Sequence, residues 1–334
     1  MPEHEMDSGI LKDKFVGTLI GTGIGDALGA PFEGSGPNAL GPQSCDTIDY
    51  LRLSGYPKGQ YTDDTQLTIA MARAIVKDRC IRGDTVAEEI ATFWRTGEII
   101  GEGMACGEAM RRYISGAADW ETCGTGPGRA GNGSAMRAGP VGLWDFDDPD
   151  RIPSDSRTAT IMTHTDERAI AGTAAVARAV AYFVAADSFD PVGMVSAVAS
   201  CVEKIHPGFA GLLRKLPEWL DAPYETAHRE IRDAAQPGGA GGAWSGGITP
   251  FVIPTVLAAL YCFLKSPADP VESIVRAINM GGDTDTVAAI TGAIAGSHNG
   301  ADAFPERLIK GLKDADCIAQ LGGELFDTKL SAGA

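Results

Sequence analysis

The chain has 334 residues, of which 44% are hydrophobic, so it is long enough to bury a sizeable core. It carries 44 acidic and 28 basic residues, which gives a formal net charge of −16 and a sequence pI near 4.7. This balance argues against a nucleic-acid-binding or anionic-membrane surface, and it leaves carboxylates available to bind cations.

Helical periodicity dominates the chain. The first predicted helix, 10–29, places Leu11, Phe15 and Leu19 on one face. It also has a glycine at every fourth position from 17 to 29, each lowering helix propensity by about 1 kcal/mol relative to alanine. This glycine ridge predicts that another backbone approaches closely. Further helices are predicted over 66–77, 84–95, 104–115, 167–186, 190–204, 223–235, 251–265, 270–279 and 286–297, the last with its own small-residue ridge at Ala288, Gly292 and Gly296.

No segment shows the sustained alternation of apolar and polar residues that predicts a strand. Two glycine-rich loops stand out, 124–133 and 238–247, and the second can also be interpreted as a functional lid. Neither a linker nor an internal repeat is evident. We therefore predict a single all-α domain covering residues 1–334.

The seven cysteines are scattered and form no Cys-x-x-Cys pair, which indicates neither a zinc cluster nor a secreted disulfide framework. Residues 1–15 lack the apolar region of a signal peptide. The longest apolar stretch, 251–264, is well short of the roughly 20 residues that a membrane span needs. These features predict a reduced, soluble, cytoplasmic protein that does not bind membranes.

Two acidic segments each precede a predicted helix. YTDDTQL supplies Asp63 and Asp64, and GGDTDTV supplies Asp283 and Asp285. Helix capping alone would need only one such residue per helix, and adjacent carboxylates repel each other. Carboxylate and hydroxyl oxygens are ligands that suit Mg²⁺, Mn²⁺ or Ca²⁺ rather than zinc. If the fold brings the two segments together, they could form a two-metal site.

The second acidic segment, GGDTDTV, has two other interpretations. A calcium-binding EF-hand loop starting at Asp283 would need glycine and glutamate where the chain has Ala288 and Ile294, so that interpretation fails. A D-x-D-T/V motif is also typical of phosphoaspartate phosphatases, where it follows a buried strand. Here it follows a helical pattern, which disfavours that class.

Several further residues have both a structural and a functional interpretation. In GDALGAPFEG, Asp26 and Glu33 are either ordinary solvated acids or members of a site. GTGPGRAGNGSAMR lacks the ending of a phosphate-binding P-loop, yet its glycines could present backbone N–H groups to phosphate oxygens. In the same segment, Arg137 could pair with phosphate or form a structural ion pair. His164, in THTDERA, is either structural or part of a ligand pocket.

Five motifs, GDALGAPFEG, YTDDTQL, GNGSAMR, THTDERA and GGDTDTVAAITGAIAG, resemble in this order those of the ADP-ribosylglycohydrolases, over roughly residues 12–300. The resemblance implies an all-α fold of a compact orthogonal helical domain, with two Mg²⁺ or Mn²⁺ ions in a central cleft. It implies as metal ligands Thr62, Asp63, Asp64, Asp283, Asp285 and Thr286.

The resemblance also implies roles for other residues. Glu33 lies where some relatives have a catalytic glutamate, and we expect Asp64 and Asp285 to share in catalysis. The general base stays open between Glu33, Glu102 and a metal-ligating aspartate, because the loop IIGEGMACG lacks the aspartate of some relatives. The substrate-binding residues would be Gly131, Asn132, Gly133 and Ser134 at the phosphates, His164, and, from side-chain chemistry alone, Trp244 stacking on adenine.

The expected activity is metal-dependent hydrolysis of the bond between ADP-ribose and an acceptor, with a protein arginine side chain as the first candidate. One alternative is that the substrate is a small or O-linked ADP-ribose derivative. A second is a non-catalytic ADP-ribose-binding protein, which the intact acid set argues against. A third is a phosphohydrolase, which release of inorganic phosphate would identify.

Overall fold

The structure, a computed structural model, describes residues 7–41, 45–186, 188–235 and 244–332. Across these ranges there are helices and isolated β-bridges but no strand, so the all-α prediction is confirmed. The helices are α1 (Ser8–Gly29), α2 (Asp63–Asp78), α3 (Gly83–Thr96), α4 (Met104–Ile114), α5 (Gly139–Trp144), α6 (Ile152–Thr160), α7 (Glu167–Ala185), α8 (Pro191–Glu203), α9 (Pro207–Leu213), α10 (Leu216–Asp221), α11 (Tyr224–Arg232), α12 (Val252–Lys265), α13 (Pro270–Asn279), α14 (Thr284–Asn299), α15 (Glu306–Gly311) and α16 (Ala315–Ala332), with 3₁₀ turns at Ala30–Phe32 and Pro149–Arg151.

Every helix predicted from periodicity is present, with small shifts at the ends. The helix predicted over 223–235 ends earlier, at Arg232, and the one predicted from 286 begins at Thr284. The sequence prediction missed α5, α6, α9, α10, α15 and α16. Four of these, α5, α6, α9 and α10, are short and have proline in their first turn, where proline is tolerated because the N–H it lacks has no partner within the helix.

The glycine ridge of α1 packs directly against the backbone of α14. A Cβ atom added to Gly21 would lie 2.1 Å from the carbonyl oxygen of Gly292, and one added to Gly25 would lie 2.1 Å from that of Ala288. The predicted close approach is therefore confirmed. Since a Cβ on Gly29 would lie 2.7 Å from the Cα of Asp285, this contact also brings the end of α1 to the acidic start of α14.

Replacing Gly21 by alanine should destabilise the protein by about 1–3 kcal/mol, towards the upper end because the clashing atom is a backbone oxygen. The matched control is Gly211→Ala at an exposed position of helix α9, where a Cβ meets no described atom within 4 Å. That control should stabilise by about 0.5–1 kcal/mol, as alanine does in a helix. Urea unfolding of the two variants measures both values, and equal stabilities would contradict the packing argument.

The core is a continuous cluster of buried apolar side chains that includes residues from α1 to α16. Within the described residues one helix, α7, is long and apolar enough to cross a membrane, with a mean hydropathy of 1.3, but 78% of that stretch is buried inside the fold. The seven cysteines are all free. We propose that residues 1–334 form a single domain, which this continuous core supports, and that the protein is cytoplasmic.

A carboxyl pair, the buried Asp145 and the partly exposed Asp155, makes stability depend on pH. Asp145 is 1% exposed at the end of α5, and burial, followed by the charge of Asp155, raises its pKa from 3.8 to about 8. Because the folded-state pKa is the higher one, its stabilising contribution is complete below pH 3.8 and is lost as the pH rises through about 8.

Asp145→Asn should therefore flatten the pH dependence of stability. Relative to this variant, the wild-type protein should lose up to about 1.4 kcal/mol of unfolding free energy per pH unit between pH 5 and pH 8. Urea unfolding of both proteins at pH 5, 6.5 and 8 measures the difference. Parallel pH profiles would show that Asp145 does not hold a proton in the folded state.

Candidate active site

The two acidic segments meet at one cleft of about 570 Å³. Asp63 and Asp64 occupy the first turn of α2, while Asp283 precedes α14 and Asp285 lies in its first turn. All four carboxylates line the cleft together with Glu33, which follows the 3₁₀ turn after α1. Both helices point their N-termini at the cleft, where the helix dipole favours negative charge.

The carboxylates are crowded. One oxygen each of Glu33, Asp283 and Asp285 lie within 4.8 Å of one another. On the other segment, Oδ1 of Asp64 is buried without a hydrogen-bond donor, and its Oδ2 lies 3.4 Å from Oγ1 of Thr62. Thr286 lines the same cleft. The structure thus brings together every residue predicted as a metal ligand.

Burial is the main cause of the raised pKa of each acid. The pKa values of Asp63 and Asp64 are raised well above the ordinary value by burial and then by the charge of Asp26. The pKa of Asp285 is raised well above it by burial and then by Asp283, whereas Glu33 is exposed at the cleft surface and its pKa is raised by partial burial and then by Asp283. Buried carboxylates of this kind need protons or cations to be stable.

The predicted phosphate loop divides into two parts. Asn132 donates its side-chain amide to Asp283 Oδ2 at 2.6 Å and to Thr255 Oγ1 at 3.1 Å, and its backbone N–H to Pro250 O at 3.0 Å. The Asn132 side chain therefore orients an acid of the cluster. Among the described residues, the backbone N–H groups of Gly133 and Ser134 have no acceptor, so the N–H of Gly133, which lines the cleft, is available to a ligand. Gly131 and Gly133 line the cleft, and Ser134 is buried behind it.

His164 and Arg137 form the layer beneath this loop. Arg137 is fully buried and donates to Gly133 O at 2.7 Å, to Thr163 Oγ1 at 2.8 Å and to Ala159 O at 3.1 Å. It thus supports the loop from behind. Burial, and then the charge of Arg137, lowers the pKa of His164 to about 3, so the ring is neutral. His164 also lines the cleft.

The candidate for adenine stacking, Trp244, and one candidate for the general base, Glu102, lie at the edge of the cleft. Trp244 is half-buried and lines it, while 236–243 and with them most of the proposed lid lie outside the described residues. Glu102 is exposed and already accepts hydrogen bonds from Trp94 Nε1, at 2.6 Å, and from Arg111. The Glu33 carboxylate, by contrast, accepts no hydrogen bond from any residue in the described ranges, which makes it the freer proton acceptor.

The sequence prediction missed how the start of α14 is held. Gly281 and Gly282 both have positive φ, and their peptides pair with two other loops. Gly34 N–H donates to Gly282 O at 2.7 Å, Ile248 N–H to Gly281 O at 2.9 Å, and Asp283 N–H to Ile248 O at 2.8 Å. The glycine pair before Asp283 was a visible signal for a turn, but its two partner loops are distant in sequence. The role of Asp26, described below, was also missed.

These features define an all-α protein whose cleft is lined with carboxylates at two helix N-termini. A family model described as ADP-ribosylglycohydrolase matches residues 7–333, and the chain belongs to this family. It is 24% identical to the ADP-ribosyl-[dinitrogen reductase] glycohydrolase of Rhodospirillum rubrum, with 88% of each chain covered. It is 25% identical to an ADP-ribosylarginine hydrolase of Serratia proteamaculans, over 94% of this chain and 79% of that one. A solved structure titled ADP-ribosylglycohydrolase-related protein complex shares the fold, with a TM-score of 0.71, 22% identity, and coverage of 96% of this chain and 99% of that one.

Proposed function

We propose that the protein is a metal-dependent hydrolase that cleaves the glycosidic bond between ADP-ribose and a protein arginine side chain. The observation that carries the proposal is the crowding of Glu33, Asp283 and Asp285 within 4.8 Å, in the cleft that Asp63 and Asp64 also line. Family membership supports the reaction class. The arginine acceptor is supported by the relative named as an ADP-ribosylarginine hydrolase.

The donor set fits divalent cations. It consists of carboxylate and hydroxyl oxygens, which Mg²⁺ and Mn²⁺ prefer, and it includes the buried Oδ1 of Asp64, which has no donor in the described structure. We propose that two Mg²⁺ or Mn²⁺ ions are held by Thr62, Asp63, Asp64, Asp283, Asp285 and Thr286. When bound, such cations supply Lewis-acid chemistry that polarises substrate oxygens and makes water more acidic.

The remaining steps, proton transfer and substrate binding, would be carried out by residues of the chain. Glu33 takes a proton from the attacking water, whose oxygen forms the new bond to the anomeric carbon. The electron pair of the broken carbon–nitrogen bond stays on the guanidine nitrogen, which then gains a proton. The free N–H group of Gly133 binds the pyrophosphate oxygens, with Ser134 in the layer behind it, which offsets the repulsion from an acidic protein. Neutral His164 and the indole of Trp244 contact the rest of the ligand.

The test is a panel of defined substrates. The protein is incubated with arginine-, serine- and ester-linked ADP-ribose, each with Mg²⁺, with Mn²⁺ and with a chelator, and the released ADP-ribose is measured. We expect release from the arginine-linked substrate only when a cation is present. Cleavage of only the serine-linked or only the ester-linked substrate would identify that group, and not arginine, as the acceptor. Binding without release would indicate a non-catalytic protein, and release of inorganic phosphate would indicate a phosphohydrolase.

A further inference from the structure

Asp26, in the last turn of α1, makes an unusual set of contacts with the start of α2. Its carboxylate is 0% exposed. It accepts hydrogen bonds from Thr62 N–H at 3.0 Å and Thr65 N–H at 3.0 Å, and from the hydroxyl groups of these threonines at 2.8 Å and 2.6 Å. The segment between the two threonines is Asp63 and Asp64, so one buried carboxylate holds both ends of this acidic pair.

This arrangement replaces an ordinary helix cap. Thr62 occupies the N-cap position of α2, yet its side chain makes no capping bond to its own helix. The capping is done instead by Asp26, whose helix also packs against the start of α14. A buried carboxylate is costly, and a threonine cap would satisfy the N–H of Thr65, the third residue of the helix, without one. Capping of α2 therefore does not by itself explain why a carboxylate is buried at position 26.

The direction of the Thr62 hydroxyl hydrogen indicates a second role for Asp26. A threonine hydroxyl has one hydrogen to donate and two lone pairs. Oγ1 of Thr62 lies 2.8 Å from Asp26 Oδ1 and 3.4 Å from Asp64 Oδ2, so the hydrogen goes to Asp26. The oxygen then presents only lone pairs on the side of Asp64. Two oxygens 3.4 Å apart that offer only lone pairs to each other are suited to share a cation, and Asp64 Oδ1 also has no donor among the residues that the structure describes.

We infer that Asp26 is a positioning residue that turns the Thr62 hydroxyl into a cation ligand by accepting its hydrogen. The inference rests on the proposed metal-dependent function and assigns a role to a residue outside the ligand set. Residues that orient metal ligands in this way typically contribute about 10- to 100-fold to metal affinity. Asp26 acts through Thr62 and touches neither substrate nor cation.

Asp26→Asn is the informative variant because it keeps the shape of the side chain. If the new amide nitrogen took the place of Oδ2, it would face the N–H groups of both Thr62 and Thr65, whereas in the place of Oδ1 it faces only that of Thr62. The orientation with the nitrogen in the place of Oδ1 is therefore favoured, and in it the amide donates a hydrogen bond to Thr62 Oγ1. The hydroxyl hydrogen must then turn towards Asp64, which blocks the cation.

The experiment measures Mn²⁺ binding from the electron paramagnetic resonance signal of free Mn²⁺, in variants whose folding is checked by circular dichroism. We expect Asp26→Asn to weaken Mn²⁺ binding by about tenfold or more. The control, Thr65→Val, removes another hydrogen bond to Asp26 but leaves Thr62 untouched. It should lower the melting temperature, because a buried hydrogen bond is lost, and change Mn²⁺ affinity by less than about threefold.

A double-mutant cycle separates positioning from general damage. Thr62→Val should weaken Mn²⁺ binding by itself, and adding Asp26→Asn should then weaken it much less than it does in the wild type, because only the loss of the Asp26 charge beside Asp63 and Asp64 remains. If Asp26→Asn weakens binding as strongly in the Thr62→Val background as in the wild type, or has no effect in the wild type, the inference is overturned while the proposed function stands. If the wild-type protein binds no Mn²⁺, the proposed function itself is overturned.

Discussion

Replacing Asp285 by asparagine should reduce hydrolysis of ADP-ribosylated substrate to the background rate and leave the fold intact. Asp285 lies in the first turn of α14, and burial, followed by the charges of Asp283, Asp64 and Glu33, raises its pKa well above the ordinary value. Under the proposed function this carboxylate holds a cation. An amide has no charge and offers only one ligand oxygen, so the cation site should be lost.

The same variant should be more stable than the wild type when both are free of metal. A raised folded-state pKa means that stability is lost as the pH rises, because the crowded carboxylates must ionise. Asp285→Asn removes one of these charges, so its melting temperature at pH 7 in the presence of a chelator should exceed that of the wild type. Added Mn²⁺ should stabilise the wild type and not the variant.

Initial rates at saturating Mg²⁺ or Mn²⁺, together with thermal melts, measure both effects. Asp64→Asn should behave in the same way, since Asp64 lies in the other half of the cluster. The matched control is Asp316→Asn, which makes the same chemical change at an exposed position on α16. Near-normal turnover in Asp285→Asn or Asp64→Asn at saturating cation would contradict the metal assignment.

Glu33→Gln should lower kcat by about 10²- to 10⁴-fold, the usual contribution of a general base. Partial burial, followed by the charges of Asp283 and Asp26, raises the pKa of Glu33, which makes its carboxylate a stronger base. The affinity for ADP-ribose should change little, because under the proposed function the loop at Gly133 still binds the phosphates. Single-turnover rates and calorimetric titration with ADP-ribose measure the two quantities separately.

The matched control is Glu102→Gln, because Glu102 lines the same cleft but is bound by Trp94 and Arg111. Its effect on kcat should be much smaller than that of Glu33→Gln. If Glu33 only assists a cation, rate and affinity should fall together and excess Mn²⁺ should partly restore both. An unaltered kcat in Glu33→Gln would exclude it as the base and would make Glu102 the next residue to test.

Local patterns were sufficient to predict the main helices and the acidic residues of the cleft. The repeat of apolar residues along 10–29 identified α1, and its glycine spacing indicated that another backbone approaches closely, which the structure shows to be that of α14. Asp63, Asp64, Asp283 and Asp285 stood out because paired acids at a helix start exceed what capping requires. These signals are contained within single segments, so they can be interpreted without knowledge of the fold.

The contacts that hold the cleft together join distant segments and could not be predicted in this way. Asn132 reaches Asp283 across 151 residues, and Asp26 reaches Thr62 across 36. In both cases the residue type allowed several partners, and only the packing of helices selects one. The helix α16 was also missed, although Ile318, Leu321 and Leu325 lie on one face, because a glycine pair interrupts its pattern.

The central claim is that the cleft cleaves the bond between ADP-ribose and its acceptor. Mass spectrometry of both products from a peptide with a single arginine-linked ADP-ribose tests it most directly, with Mn²⁺ present and Asp285→Asn as the inactive control. The account predicts intact ADP-ribose and a peptide with an unmodified arginine. A peptide that keeps ribose phosphate, released AMP, or a substrate that stays uncleaved in the presence of Mn²⁺ would contradict it.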